Sequence, residues 1–422
     1  MINRICWIFL VVFLVWMTSC TREHPLQKEF PSVIKMQISN PLMINRADEP
    51  VTIQIKSLTE TKYPDFNAGA FVILDGDQEI ASQVNDLDGD NEADEIVFIC
   101  DLSAGETKIC TLLYAAEGNN ARTYTKRTQA EIAHKVNGKF VKREYIGGEF
   151  KNVDFLRVPP EHKDHSWFIR YEGPGWESDK VGYRFYLDWR NAVDIFGKKA
   201  PEMILQNVGL DGFDSYHEMS DWGMDVLKVG ESLGIGSIAM WLNDKAERVA
   251  ETDSVTCKIV INGPIQSKIR TNYHGWAIGG LKTDLTSCLT INAGSRLTKC
   301  DLRMSVMPEN ICTGIVKLDS SNIILSSDEN SAWKYLATYG KQSLANDKLG
   351  MAVLFNNDDF IKLTADNHSH VVVLQPKNQR LNYYFLAAWE KEPAGISTEE
   401  QFVEYLKKTI EKLNVPVDVT IL

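Results

Sequence analysis

The sequence predicts a mostly β protein: a small N-terminal β-sandwich followed by a large antiparallel β super-sandwich, with one C-terminal helix. Three observations carry this expectation. Apolar and polar residues alternate with period two, as in Val51, Ile53 and Ile55 against Thr52, Gln54 and Lys56, which is the spacing of half-buried strands. Turn clusters such as Asp75-Gly76-Asp77 and Ser103-Ala104-Gly105 separate the runs. Only one stretch, near the C-terminus, shows a helical stripe. At about 100–200 residues per domain, 422 residues allow two or three domains.

The chain opens with Arg4 and thirteen apolar residues, 5–17. A membrane-spanning helix needs roughly 20, so this run reads as the apolar part of a secretion signal. Thr18 and Ser19 then place small residues ahead of Cys20, which resembles a bacterial lipobox. Residues 1–19 are expected to be a lipoprotein signal peptide, Cys20 the lipidated first residue of the mature chain, and residues 20–30 a polar tether. The expected location is a Gram-negative membrane reached through that lipid. The periplasmic side is favoured over the cell surface, because Thr21-Arg22-Glu23-His24 lacks an acidic run.

Residues 31–118 form the expected small domain, with short strands at 51–56, 71–74 and 95–99. Asp86, Asp88, Asp90 and Asp94 fall at positions one, three, five and nine of one loop. Calcium takes about six to eight oxygens, and alternating Asp in a tight loop can wrap them around one point. The spacing resembles the calcium loops of FG-GAP and thrombospondin-type repeats. Asn91 stands where such loops carry Gly, and Asn tolerates positive φ better than most residues. A structural calcium ion is the expectation; a plain acidic hairpin is the alternative.

Residues 117–121 mark the boundary, and 125–422 the expected large β-sandwich domain carrying the active site. Residues 254–261, 285–291 and 297–306 alternate as strands rich in Val, Ile and Thr. Near the end, Phe402, Tyr405, Leu406, Ile410 and Leu413 make an apolar stripe, with Ser397, Thr398, Glu399 and Glu400 at its start and Lys407, Lys408 and Lys412 towards its end. That arrangement suits a helix dipole. Six cysteines follow Cys20: Cys100, Cys110, Cys257, Cys288, Cys300 and Cys312. None has metal or redox spacing, so they read as structural, and Cys100 and Cys110 could meet across a strand–turn–strand.

The net charge of −12 and pI of 5.3 exclude a broad phosphate-binding face, and nucleic acid with it. Signatures of serine hydrolases, P-loop proteins and zincins are absent from the sequence.

The functional residues are expected in 167–241. This segment holds Trp167, Trp176, Trp189, Trp222 and Trp241, five of the chain's 10 tryptophans. Aromatic faces bind the apolar faces of sugar rings, although any single Trp more often fills a core. Gly173–Lys180 begins with a glycine-rich turn. Arg184, Tyr186, Asp188 and Arg190 then share one strand face by period two, too polar a face for a core. Tyr216, His217, Glu218 and Asp221 follow together, and Tyr273 with His274 repeats the Tyr-His pair.

The segments 86–98, 173–199 and 216–230 resemble domain-of-unknown-function family 4861 of Bacteroidetes polysaccharide-utilisation systems, and the resemblance extends over most of the mature chain. The family looks to include an oligosaccharide dehydratase of ulvan breakdown. The resemblance implies an oligosaccharide substrate and removal of water from a non-reducing-end uronic acid. It assigns no catalytic residues, so these come from the chemistry. A cation must neutralise the uronate, a base must take the C5 proton, and an acid must protonate the departing C4 oxygen. Arg184 or Arg190 suits the first task, His217 the second, and Tyr216 or His274 the third; Trp176, Trp222, Glu218 and Asp221 would bind substrate. The alternatives are a glycoside hydrolase, which needs carboxylates about 5–9 Å apart and has Glu177, Asp188, Glu218 and Asp221 to choose from, an epimerase or mutarotase, or a non-catalytic sugar-binding lipoprotein.

Overall fold

The computed structural model describes residues 24–212 and 214–422. The signal segment and Cys20 lie outside the described residues. As expected, strands dominate, the sheets pair antiparallel, and one long helix stands near the C-terminus.

The N-terminal region packs two sheets face to face. One is five-stranded and built on Ser32–Ser39, Phe71–Asp75 and Thr107–Tyr114; the other is three-stranded, with Arg46–Gln54 against Glu95–Leu102. Their alternating inward residues, among them Ile34, Met36, Ile53, Ile73, Phe98 and Leu112, make one core. Cys100 and Cys110 are both buried in it as free thiols. The last strand of the chain, Asp418–Ile421, returns to this sandwich and pairs with Ser32–Ser39, Met36 opposite Ile421. The two ends of the described chain are therefore joined by backbone hydrogen bonds.

The larger sandwich sets a nine-stranded sheet against two five-stranded sheets. Isolated bridges from Val193 to Gly234 and from Ile235 to Ile315 link the two smaller sheets. Between the layers lies the main core, which includes Trp176, Tyr183, Ile195, Trp276, Val353, Tyr383, Phe385 and Trp389.

The helix Glu399–Asn414 covers the other face of the nine-stranded sheet. Thr398 caps it by accepting the Gln401 N–H at 3.2 Å, and Glu399 and Glu400 sit in its first turn, as the sequence predicts. Phe402, Leu406 and Ile410 bury themselves against Tyr335, Ala337, Ala352, Leu354 and Leu386, each burial contributing about 1.5–3 kcal/mol. Gly350 makes room for the Phe402 ring, which would lie 2.7 Å from a Cβ there. The stripe is core packing.

Candidate functional site

The five-stranded sheet of Thr128–Glu131, Gly175–Ser178, Val181–Phe185, Val193–Lys198 and Gly223–Asp225 has two contrasting faces. Ala130, Trp176, Tyr183, Ile195 and Met224 point into the main core. The alternate positions, Glu131, Glu177, Arg184, Asp194, Lys198 and Asp225, point the other way and are also buried. A cover of Ile204, Leu205, Val208, Tyr216 and Tyr171, packed on Phe196, seals them off. Buried charge persists only when paired, and here it is. The Lys198 ammonium meets Glu177 at 2.5 Å, and Glu177 also accepts the Ile204 and Leu205 N–H groups at 2.8 and 2.9 Å, which pins the start of the cover. Burial pushes Glu177 up and Lys198 down. Arg170 pairs with Glu131, which also accepts the Tyr171 hydroxyl at 2.7 Å.

Those two pairs match one charge to one. The Arg184 node does not. Cross-strand pairing sets Arg184 opposite Asp194, and its guanidinium reaches Asp194 at 2.8 Å, Asp225 at 2.5 Å and the Tyr216 hydroxyl at 2.8 Å. Two carboxylates thus share one cation. Burial, and then the neighbouring Asp225 charge, push Asp194 up to about 7. The Tyr186 hydroxyl donates to Asp194. The second carboxylate carries a further partner: His217 Nε2 lies 3.3 Å from Asp225 Oδ2, and the His217 side chain is 40% exposed. This is a carboxylate–imidazole pair at the edge of a buried, charged layer.

A second node adjoins it through Tyr186, whose ring lies 5.0 Å from the Arg184 guanidinium carbon and 4.0 Å from that of Arg190. Arg190 pairs with Asp188 at 2.5 Å, Glu172 at 2.7 Å and Asp164 at 2.9 Å. Burial pushes Glu172 up, but Arg190 and Arg184 outweigh it and hold the carboxyl at about 2. The backbone here is strained: His165, Trp167, Tyr171, Glu172 and Asn191 all have φ between 38° and 72°. Such conformations cost about 1–3 kcal/mol each and cluster where a site must be pre-shaped. Gly173 is required for a different reason. A Cβ there would lie 1.7 Å from the Phe185 carbonyl oxygen.

Several expected roles change with these positions. The face bearing Arg184, Tyr186 and Asp188 is buried, because its polarity is internally matched. The strand itself ends at Phe185, and residues 188–191 form a turn. Arg184 and Tyr216 are 3% and 2% exposed, so neither can touch a substrate; Arg184 holds Asp225, and the Tyr216 hydroxyl accepts from Arg184. Trp176 is core, stacked on Tyr183 with its indole N–H on Thr298. Trp222 is half-buried against Phe196. Glu218 and Asp221 are exposed. His274 is not brought to the site. It follows Tyr273, whose hydroxyl points inward to Asn191, and alternation turns His274 out to solvent. Asp194, Asp225, Glu172 and Asp164 were not expected. The signal for Asp194 was a charge inside the otherwise apolar run 192–196.

In the acidic loop, carboxylate oxygens of Asp86, Asp88 and Asp94 lie within 4.8 Å of one another. Asp90 is outside that set, its carboxylate turned to the Glu92 N–H at 2.7 Å. Asn91 takes φ 70°, the conformation expected of a residue replacing Gly. Gly89 and Asn91 donate to Asp86 at 2.6 and 2.9 Å, and these backbone donors, the Gly89 N–H above all, pull its carboxyl down. The oxygen set suits a hard cation, and the loop also has its own backbone donors.

The sequence profile of a family described as "Domain of unknown function (DUF4861)" matches residues 38–419, and the chain belongs to that family. Among curated proteins it is similar to "Uncharacterized protein P7" of Formosa agariphila, with 22% identity over 269 residues, 58% of this chain and 66% of that protein. Among solved structures it is similar to a protein in the Glycosyl Hydrolase Family 38 from Enterococcus faecalis, with TM-score 0.45, 8% identity, and coverage of 92% of this chain and 47% of that one. An alpha-mannosidase from Enterococcus faecalis V583 aligns with TM-score 0.40 and 8% identity over 92% and 46% of the two chains. The chain thus spans just under two thirds of the curated relative and about half of each solved one.

Proposed function

We propose that this DUF4861 member is an exported lipoprotein enzyme of carbohydrate breakdown, a carbon–oxygen lyase that eliminates water or an alcohol at C4 of a non-reducing-end uronic acid. The observation that carries the reading is the His217–Asp225 pair, half exposed on one side and anchored on the other in the Arg184 node. Asp225 orients the imidazole and stabilises the imidazolium that forms when a proton is taken, as the acid does in other carboxylate–histidine pairs. His217 takes the C5 proton. The C4–O bond breaks with its electron pair leaving on oxygen, the C4=C5 double bond forms, and the imidazolium returns the proton to the departing oxygen. Arg184 is a positioning residue that holds Asp225, and Tyr216 in turn accepts from Arg184. The charges of Arg184 and Arg190 are already matched, so the uronate must find its cation elsewhere.

Two parts of the reading concern the N-terminal region: a lipid on Cys20 that tethers the protein to the membrane facing the periplasm, and a structural calcium ion held by Asp86, Asp88 and Asp94. The test of the activity is the mass of a defined uronate-terminated oligosaccharide after incubation with the full chain. Loss of one water, with new absorbance from an unsaturated uronate, supports elimination. New reducing sugar without that loss would move the chemistry to hydrolysis by Glu218 and Asp221.

A further inference from the structure

Cys100 and Cys110 stand on the two strands that leave the 103–106 corner of the small sandwich. Glu95–Leu102 is the middle strand of the three-stranded sheet, between Arg46–Gln54 and Ser82–Asn85. Thr107–Tyr114 is an inner strand of the five-stranded sheet, with Cys110 opposite Met36 on one side and Asp75 on the other. The chain therefore crosses from one sheet to the other between the two cysteines. The crossing turn is closed by the Glu106 N–H on the Ser103 carbonyl at 3.2 Å.

Alternation decides where the side chains go. Ile96, Phe98, Cys100 and Leu102 point into the core from one sheet, and Cys110, Leu112 and Tyr114 from the other. The two cysteines are 3% and 0% exposed. The Cys110 thiol beside it, and then burial, push Cys100 up, while Cys100 pulls Cys110 down. The other described cysteines have no such counterpart. Cys288 lies opposite Asp301, and Cys300 opposite Leu289 on the adjacent strand, so their side chains leave by opposite faces. Cys257 is two strands from Cys288 and three from Cys300, about 10 and 14 Å across the sheet. A disulfide tolerates a Cα separation of roughly 7 Å at most. Cys312 packs on the far side of another sheet, with Leu233, Ala239, Val371 and Val373. A covalent link between facing sheets supplements the limited core of small sandwiches in oxidising compartments.

We infer that Cys100 and Cys110 are joined by a disulfide when the chain folds in an oxidising compartment, stapling the two sheets of the small sandwich at the 103–106 corner. The inference rests on the export reading for its oxidant, a disulfide-bearing exchange partner, and not for the proximity of the thiols. One thiolate attacks the oxidant's disulfide, and the second then displaces the mixed disulfide. Two electrons and two protons leave on the oxidant's two thiols. Because both cysteines are buried in the closed sandwich, the exchange precedes closure, and the finished bond is shielded from reductant.

The test is peptide mapping of the full chain after unfolding, reduction, refolding in a glutathione redox mixture, alkylation and tryptic digestion. Lys108 is the one basic residue between the cysteines, so cleavage there leaves residues 63–108 and 109–122 joined only by the bond. The expected result is that joined pair, at the mass of both peptides less two hydrogens, with Cys257, Cys288, Cys300 and Cys312 alkylated. The oxidised chain should unfold at a midpoint several degrees above the reduced one. Combining Cys100→Ala with Cys110→Ala should erase that difference. Alkylation of Cys100 and Cys110 themselves, a bond from either to another cysteine, or equal midpoints for the oxidised and reduced parent would overturn the inference. The same map on chain isolated from cells without reductant separates the two readings. A bond formed on refolding but absent from cells would leave the staple standing and sink export to an oxidising compartment. No bond in either preparation, with the chain in the membrane fraction, would do the reverse.

Discussion

The two faces of the sheet of Thr128–Glu131, Gly175–Ser178, Val181–Phe185, Val193–Lys198 and Gly223–Asp225 are equally dry and chemically opposite. One buries Trp176, Tyr183 and Ile195; the other buries Glu131, Glu177, Arg184, Asp194, Lys198 and Asp225. The apolar face needs no explanation beyond the hydrophobic effect. The charged face gains little from its ion pairs, because desolvation offsets most of their attraction. Two of its groupings match one cation to one anion, while Arg184 faces two carboxylates. A surplus buried carboxylate is a cost in stability, and its connection to a half-exposed histidine makes it a candidate functional group.

The largest effects should come from removing the centre of either face. Arg184→Ala leaves Asp194 and Asp225 facing each other without a cation and should cost about 3–5 kcal/mol. Trp176→Ala opens a cavity in the main core and should cost a similar amount, about 3–5 kcal/mol. Denaturant unfolding of both variants reads this directly. A small loss for Arg184→Ala would mean that the charged face is hydrated and not a dry layer.

Next in size is turnover. His217→Ala should lower it about a hundredfold, as for loss of a general base, with the thermal midpoint nearly unchanged because the side chain is 40% exposed. Near-normal turnover would remove His217 from the chemistry.

The pH dependence of stability sharpens the contrast further. The folded state holds a proton on Asp194 up to about 7, against a usual 3.8. Between those values the unfolded chain gives up that proton and the folded chain keeps it. The stability penalty therefore grows as pH rises through this window. Glu172, held at about 2 from a usual 4.5, acts in the opposite sense, its contribution being lost as pH falls below the unfolded value. Asp194→Asn should flatten the decline of the thermal midpoint between pH 5 and about 7. A decline as steep as in the parent chain would place its origin outside this node.

The smallest effects belong to the N-terminal region. Calcium bound only to the folded state at a hundredfold excess over its dissociation constant adds about 2.7 kcal/mol. Chelation or Asp88→Ala should then lower the midpoint by a few degrees, and indifference to both would leave the loop a plain hairpin. Cys20→Ala should release the protein from the membrane fraction; unchanged fractionation would count against the lipid.

The regular architecture was legible because period-two alternation and turn residues report directly on strands. The capped stripe of Phe402, Leu406 and Ile410 likewise reports on a helix. The site was legible in part. Local density drew attention to Arg184, Arg190, Tyr216 and His217, and the fold does gather them around Tyr186 and Asp225. What one strand's pattern cannot reveal is the pairing across strands. Arg184 reads as exposed until Asp194 and Asp225 are set beside it from later parts of the chain. His274 fails for a related reason, since a Tyr-His dipeptide on a strand sends its two side chains to opposite faces.

The account turns on the claim that Asp225 is kept for function and not for stability. Asp225→Asn tests it most directly, with the thermal midpoint and the turnover of a uronate-terminated oligosaccharide measured on the same preparation. It leaves Arg184 with one carboxylate, Asp194, so the midpoint should hold or rise. Turnover should fall at least tenfold, because the His217 ring loses its acidic partner. A midpoint lowered by many degrees, with turnover per folded molecule unchanged, would make Asp225 a structural residue and contradict the account.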